Sequence, residues 1–305
     1  MPRGEARLGA LSVAWDVPDE PAGASGGLEH LGAAVGREGI AVYPWVVERG
    51  AIPRAPARYA AFYGPARLVL EPDAVIVWSP HAELRVTPHG LQGRVDGPSG
   101  LPAAIALHVV AAHAGLVHTH AAVVHLDGAT VLLPGGSGSG KTSAALAVAR
   151  GGGVLACDDA AYVDAHRVAW PIRRPPHVSD ETRAAHPDLE ALGPVLDGSV
   201  AKTRVRAPSP GPASPSRVDA IVIPSIERGA RTRVEPVEPA AVFATLLGSS
   251  ALAVVPGTPH RDAMIDILAD LATLPAARLV AGPDALEDPL VVPQLLRAWL
   301  ATRPR

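Results

Sequence analysis

Asparagine is absent from this chain of 305 residues, lysine occurs only as Lys141 and Lys202, and cysteine only as Cys157. A single thiol excludes an intrachain disulfide and a cysteine-cluster metal site. Without asparagine there is no N-K-x-D guanine-recognition motif, which excludes a GTPase of that kind. The catalytic loop of eukaryotic-type protein kinases also needs an asparagine for its second Mg²⁺. His260-Arg261-Asp262 therefore reads as the start of a helix and not as such a loop. No LSGGQ segment of the ABC type is present. No run of about 18 uninterrupted apolar residues exists to cross a membrane. The nearest stretch, 101–117, carries His108 and His113 and reads as a buried helix. Residues 1–11 lack the apolar core and small-residue cleavage site of an export signal. The formal charge of −3, with no long run of one sign, argues against a broad grip on nucleic acid. These absences predict a cytoplasmic protein with no nucleic-acid or membrane partner, and leave a homo-oligomer open.

Hydrophobic residues make up 48% of the chain, enough for a sizeable core. Residues 66–80 alternate on both sides of Pro72-Asp73 and predict a hairpin, with a further strand over 81–87. The glycine-rich stretch 90–101 predicts a boundary near residue 100. A helix follows over 102–116. The runs 120–126 and 129–134 flank Asp127-Gly128, a good hairpin turn. A helix over 141–150 is stopped by Gly151–Gly153, and 154–156 forms a short buried strand. Further strands are expected at 218–224 and 278–281, and helices at 239–247, 262–273 and 289–300. The Pro/Ser-rich stretch 207–216 cannot be a core element. Two domains result: a β-rich N-terminal domain, 1–100, and an α/β part, 101–305.

Gly135-Gly136-Ser137-Gly138-Ser139-Gly140-Lys141-Thr142 fits G-x4-G-K-[ST], the phosphate loop. Glycines let successive N–H groups turn inward onto phosphate oxygens, and the following helix adds its positive end. Lys141 is placed for the β- and γ-phosphates and the Thr142 hydroxyl for Mg²⁺. ATP with Mg²⁺ is the predicted ligand. Arginine fills 25 of the 27 basic positions, so a lysine kept here points to a site that needs a compact point charge.

Asp158 and Asp159 follow the strand 154–156, where a carboxylate usually completes Mg²⁺ coordination. Two carboxylates allow one to hold metal and the other to take a proton. His120 opens the strand before the loop strand, and in a regular strand His118 shares its face. Taken alone, a strand histidine is more often structural.

His120-Ala-Ala-Val-Val followed by VLLPGGSGSGKTSAALAVARGGGVLACDD resembles the catalytic core of HPr kinase/phosphorylase and its relatives. The resemblance covers about residues 118–164. It implies an α/β fold of the P-loop, HPr-kinase/PEP-carboxykinase-like type: a mixed-sheet nucleotide-binding core with a smaller β-rich N-terminal domain. It implies transfer of the ATP γ-phosphate to a hydroxyl, with Asp158 as base, Asp159 on the metal and His120 beside the transferred phosphate. Residues 1–100 do not resemble the N-terminal domain of the HPr-phosphorylating enzymes. The chain is closer to shorter HPr-kinase-like proteins, so a serine-type hydroxyl on a peptide, protein or small molecule is the expected acceptor. Two other classes stay open: a nucleotide-regulated binding or assembly protein, and a general ATPase.

Arg173 and Arg174 suit a clamp on an acidic or phosphorylated acceptor, or are two solvated arginines. Lys202 and Arg204, with Arg206, face one way on an extended strand, either as a mobile arm that closes over the phosphates or as an exposed edge strand. Cys157 reads as a small buried residue.

Overall fold

The computed structural model describes residues 3–8, 11–16, 41–49, 51–56, 58, 60–63, 66–96, 100–172, 175–197, 200–207, 214–253, 255 and 258–302. The fold is mixed α/β with several sheets. The chain divides into two units: residues 1–118, 162–165 and 250–267, and residues 119–161, 166–249 and 268–305.

The first unit is built on an eight-stranded sheet. Its best-described part is the meander Ala66–Leu70, Val75–Ser79, Ala82–Thr87 and Gly90–Val95. In the third strand Ala82, Leu84 and Val86 are buried and their neighbours are not, the period-two pattern of a sheet with one covered face. The first turn falls at Pro72-Asp73 as expected, closed by Glu71 and Ala74 and braced by Arg85, which binds Glu71 and, at 3.0 Å, Asp73. The expected boundary stretch is instead partly a strand: Gly90–Val95 pairs antiparallel with Ala82–Thr87. Gly93 is required there, because a Cβ would lie 2.3 Å from the Glu83 carbonyl oxygen. The helix Gly100–His113 packs on this meander and belongs to the first unit.

The second unit carries a six-stranded sheet in the order Val154–Cys157, Ala121–Leu126, Ala129–Pro134, Ala220–Ile226, Ala276–Ala281, Arg233–Pro236. Ala121–Leu126 and Ala129–Pro134 form the expected hairpin, with Asp127 and Gly128 both at positive φ in its turn. Ala129–Pro134, Ala220–Ile226 and Ala276–Ala281 run parallel, so their C-terminal ends lie together. The Asp219 carboxylate accepts the Thr130 N–H at 2.8 Å and helps fix this register.

The helix Lys141–Arg150 covers the sheet with Ala144, Leu146, Ala147 and Val148, packed among Val124, Leu133, Val222, Leu279 and Leu296. Its alanines allow a close approach. At its end Gly151 abuts Pro293 of the last helix, Val291–Ala301, with no room for a Cβ. A second sheet of this unit has Val200–Val205 between His177–Val178 and Ala191–Asp197. The edge-strand reading of the Lys202 segment is thereby corrected: its backbone is paired on both sides. Its hairpin partner, Ala191–Asp197, includes Pro194 and Gly193 at a bulge, which hid the strand from a pattern reading.

Candidate functional site

The loop strand ends at Pro134, and the chain turns through glycines into the helix beginning at Lys141. Gly138 and Gly140 have φ of 78° and 94°, a backbone that side-chain-bearing residues rarely adopt. Gly140 caps the helix and has no side chain to accept from the first N–H groups. The positive end of the helix thus faces the loop. The Ser139 hydroxyl is buried without a hydrogen-bond partner. Lys141 is buried, and its Nζ donates to the carbonyl oxygens of Gly135 at 2.7 Å and Gly136 at 2.8 Å. These carbonyls offset part of the cost of burying an ammonium group.

Asp158 follows the strand Val154–Cys157, which pairs with Ala121–Leu126. The Thr142 hydroxyl donates to Asp158 Oδ2 at 3.1 Å, while Asp158 Oδ1 is buried with no hydrogen-bond partner. Burial, and then the neighbouring charge of Asp159, raise the Asp158 carboxyl from 3.8 to about 7; Thr142, Lys141 and Lys202 oppose that rise. Of the two aspartates it is Asp158, the expected base, whose carboxylate meets the hydroxyl of Thr142, an expected metal ligand.

Asp159 turns to His120, whose Nδ1 lies 3.1 Å from Asp159 Oδ1 and 3.1 Å from its carbonyl oxygen. His120 sits just outside the strand Ala121–Leu126, with its N–H donated to the Ser249 carbonyl. This interruption ends the regular alternation, so the shared face with His118 is not formed. His118 stacks instead on His108, with ring centroids 3.9 Å apart.

At the C-terminal ends of the parallel strands lies a cavity of about 490 Å³. Lys141, Thr142 and Lys202 line one part of it, and Ile226, Leu279 and Leu286 an apolar part. Glu181 and Arg228 also reach it. The helix Asp180–Ala185, capped by Ser179, is tied to the loop helix by the Ser143 and Thr182 hydroxyls, 2.8 Å apart. Neither Arg228 nor Glu181 was singled out from sequence. The end of a parallel strand is a usual ligand position and was the available signal for Arg228.

Arg204 shares the Lys202 strand, opposite Gly193, with its Nε buried and without a hydrogen-bond partner. Arg206 binds Glu190 through Nε at 2.6 Å and Nη2 at 3.2 Å. Arg173 and Arg174 lie outside the described residues. So does 208–213, most of the Pro/Ser-rich stretch.

The residues present fit a nucleotide with a divalent cation. The uncapped helix end and the orphaned Ser139 hydroxyl suit phosphate oxygens, and Thr142 with Asp158 supplies hard oxygen donors. Among the described residues no group of three or more His, Cys, Asp or Glu side chains gathers as a metal cage. A Mg²⁺ ion does not need one, because it commonly keeps waters and uses phosphate oxygens beside one or two carboxylates. Among the described residues no helix is long and apolar enough to cross a membrane.

No protein-family model matches the chain, and neither does any curated protein. Among solved structures, the HPr(Ser) kinase/phosphatase from Coxiella burnetii is similar at 14% identity and a TM-score of 0.29. That match covers 61% of this chain and 97% of the other. The likeness is too weak to transfer a fold or an activity, and no family membership follows from it.

Proposed function

We propose that this protein binds ATP with Mg²⁺ and transfers the γ-phosphate to a hydroxyl of a peptide, protein or small molecule. The observation that carries the reading is the contact between the phosphate loop and the carboxylate after the return strand: Thr142 hydroxyl to Asp158. A glycine-rich turn formed by chance has no reason to meet a buried carboxylate there.

In this reading the loop N–H groups and Lys141 hold the β- and γ-phosphates. Thr142, with Asp158 Oδ2 beside it, would hold Mg²⁺, which when bound neutralises charge on the phosphates. The acceptor oxygen bonds to the γ-phosphorus as the bond from that phosphorus to the bridging oxygen breaks. ADP leaves with the electron pair. The hydroxyl proton passes to Asp158 through Oδ1, the oxygen that Thr142 leaves without a hydrogen-bond partner. In this reading Asp158 serves both sides, where the resemblance implies the metal on Asp159. Asp159 and His120 form a neighbouring pair that positions the acceptor side. Lys202 adds positive charge to the cavity.

Calorimetry with MgATP and transfer of labelled γ-phosphate into a peptide and metabolite library test the reading. Expected is binding that Lys141→Ala weakens at least about 100-fold in a folded variant, together with acceptor-dependent ADP release. Unchanged affinity in that variant refutes the loop assignment. ADP release that no acceptor stimulates refutes the kinase reading in favour of an ATPase.

A further inference from the structure

A second cavity, of about 240 Å³, lies in the unit that carries the loop. Asp158 lines it, and so do Leu155, Pro175, Pro176, Leu192 and Val205. The larger cavity is lined by Lys141 and Thr142, so one volume borders the phosphate loop and the other borders the carboxylate that Thr142 touches. The strand Val200–Val205 contributes to both: Lys202 lines the larger cavity and Val205 the smaller. A volume of about 490 Å³ falls in the range that encloses one drug-sized ligand, so a bound nucleotide leaves the acceptor the smaller space.

The chemistry of the smaller cavity is one-sided. Among its described lining residues only Asp158 and Arg206 are charged. Arg206 already has its guanidinium held at two points by Glu190. Asp158 has one oxygen on Thr142 and the other buried without a hydrogen-bond partner. The remaining walls are aliphatic or proline, with the buried Cys157 beside them. Leu192 is 39% exposed, one of four large hydrophobic residues so exposed among the described residues. An exposed leucine beside an apolar hollow with one buried acceptor oxygen describes a place for an uncharged apolar group next to a hydroxyl donor.

We propose that this cavity is the acceptor site, and that it selects a hydroxyl compound whose group next to the hydroxyl is apolar and uncharged. The proposal rests on the kinase reading for the word acceptor, but its binding preference is independent of turnover. The same chemistry is offered by a serine followed by a large aliphatic residue in a peptide and by an aryl-alkyl alcohol.

The test measures binding by calorimetry and saturation-transfer NMR on the full chain loaded with Mg²⁺ and a non-hydrolysable ATP analogue. The probes are N-acetyl-Ser-Leu-amide, N-acetyl-Ser-Gly-amide, N-acetyl-Ser-Asp-amide and 2-phenylethanol. Expected is binding of the leucine peptide or of 2-phenylethanol about tenfold or more tighter than of the glycine and aspartate peptides, the gain from burying one apolar side chain. Which of the two binds separates a peptide from a small-molecule source. Ala207→Phe, at a partly exposed lining position, should fill the cavity and abolish that preference while leaving MgATP affinity within about twofold. Leu192→Ser, at an exposed position, should reduce the preference without unfolding the chain. Preference for the aspartate peptide, equal binding of all probes, no binding of any, or a preference that both variants keep overturns the proposal. If the apolar probe binds and responds to Ala207→Phe but the nucleotide does not bind, the kinase reading fails and the cavity's preference for an apolar hydroxyl compound stands.

Discussion

Replacing Asp158 by asparagine should stabilise the protein without ligand, and increasingly so as the pH rises. The carboxyl is only 4% exposed, shares one oxygen with Thr142 and leaves the other without a partner. Burial raises it from 3.8 to about 7. The unfolded chain gives up this proton near 3.8, whereas the folded chain holds it to about 7. Between those values the folded state binds more protons, so the stability of unfolding falls with pH. The contribution is intact below the unfolded value and is lost as the pH climbs through the folded one. The arithmetic gives a loss of about 2 kcal/mol at pH 5 and about 4 kcal/mol at pH 8. Asparagine has the same shape and carries no charge, so it removes this loss. Calorimetric melting of wild type and Asp158→Asn should show a gap of about 3 °C at pH 5 widening to about 8 °C at pH 8. Saturating MgATP should narrow the gap at pH 8, because a bound cation favours the ionised carboxylate of the wild type. A variant less stable than wild type at both pH values, or a gap independent of pH, refutes the argument that this carboxylate is buried at a cost.

His120→Ala should lower phosphate transfer about 100-fold or more while leaving MgATP affinity nearly unchanged, because the His120 ring meets Asp159, while the tie to the loop, from Gly135 N–H to the His120 carbonyl, is backbone that alanine keeps; single-turnover transfer alongside calorimetry separates the two. Burial pushes the Cys157 thiol up to about 12, so at pH 8 only about one molecule in ten thousand carries a thiolate. Iodoacetamide should therefore label Cys157 only after unfolding, as read by mass spectrometry. Gly282→Ala should cost about 2–4 kcal/mol in denaturant unfolding, because its Cβ would stand 1.9 Å from the Ala230 carbonyl oxygen, a backbone atom that cannot step aside. Wild-type stability in that variant would show that the approach of the two segments is not fixed.

Local patterns decided a good part of this protein in advance. The Gly135–Thr142 stretch needs only its own glycines, lysine and threonine to form a loop running from a strand into a helix, and it does so. The hairpin around Asp127-Gly128 and the turn at Pro72-Asp73 are likewise set by residues adjacent in the chain. The period-two pattern sufficed for Ala82–Thr87. What failed were readings that depend on partners distant in sequence. Gly90–Val95 looks like a linker, yet a neighbouring strand gives its backbone a ladder. The middle position of Val200–Val205 follows from strands on either side of it that pattern alone did not reveal. The two aspartates are equivalent in the sequence, and spacing cannot say which meets Thr142. Only the packed sheet aims Asp158 at the loop and Asp159 at His120. Strand direction and side-chain aim are set by long-range pairing, so the shape of the loop was legible in the sequence, while which aspartate meets it was decided by the tertiary structure.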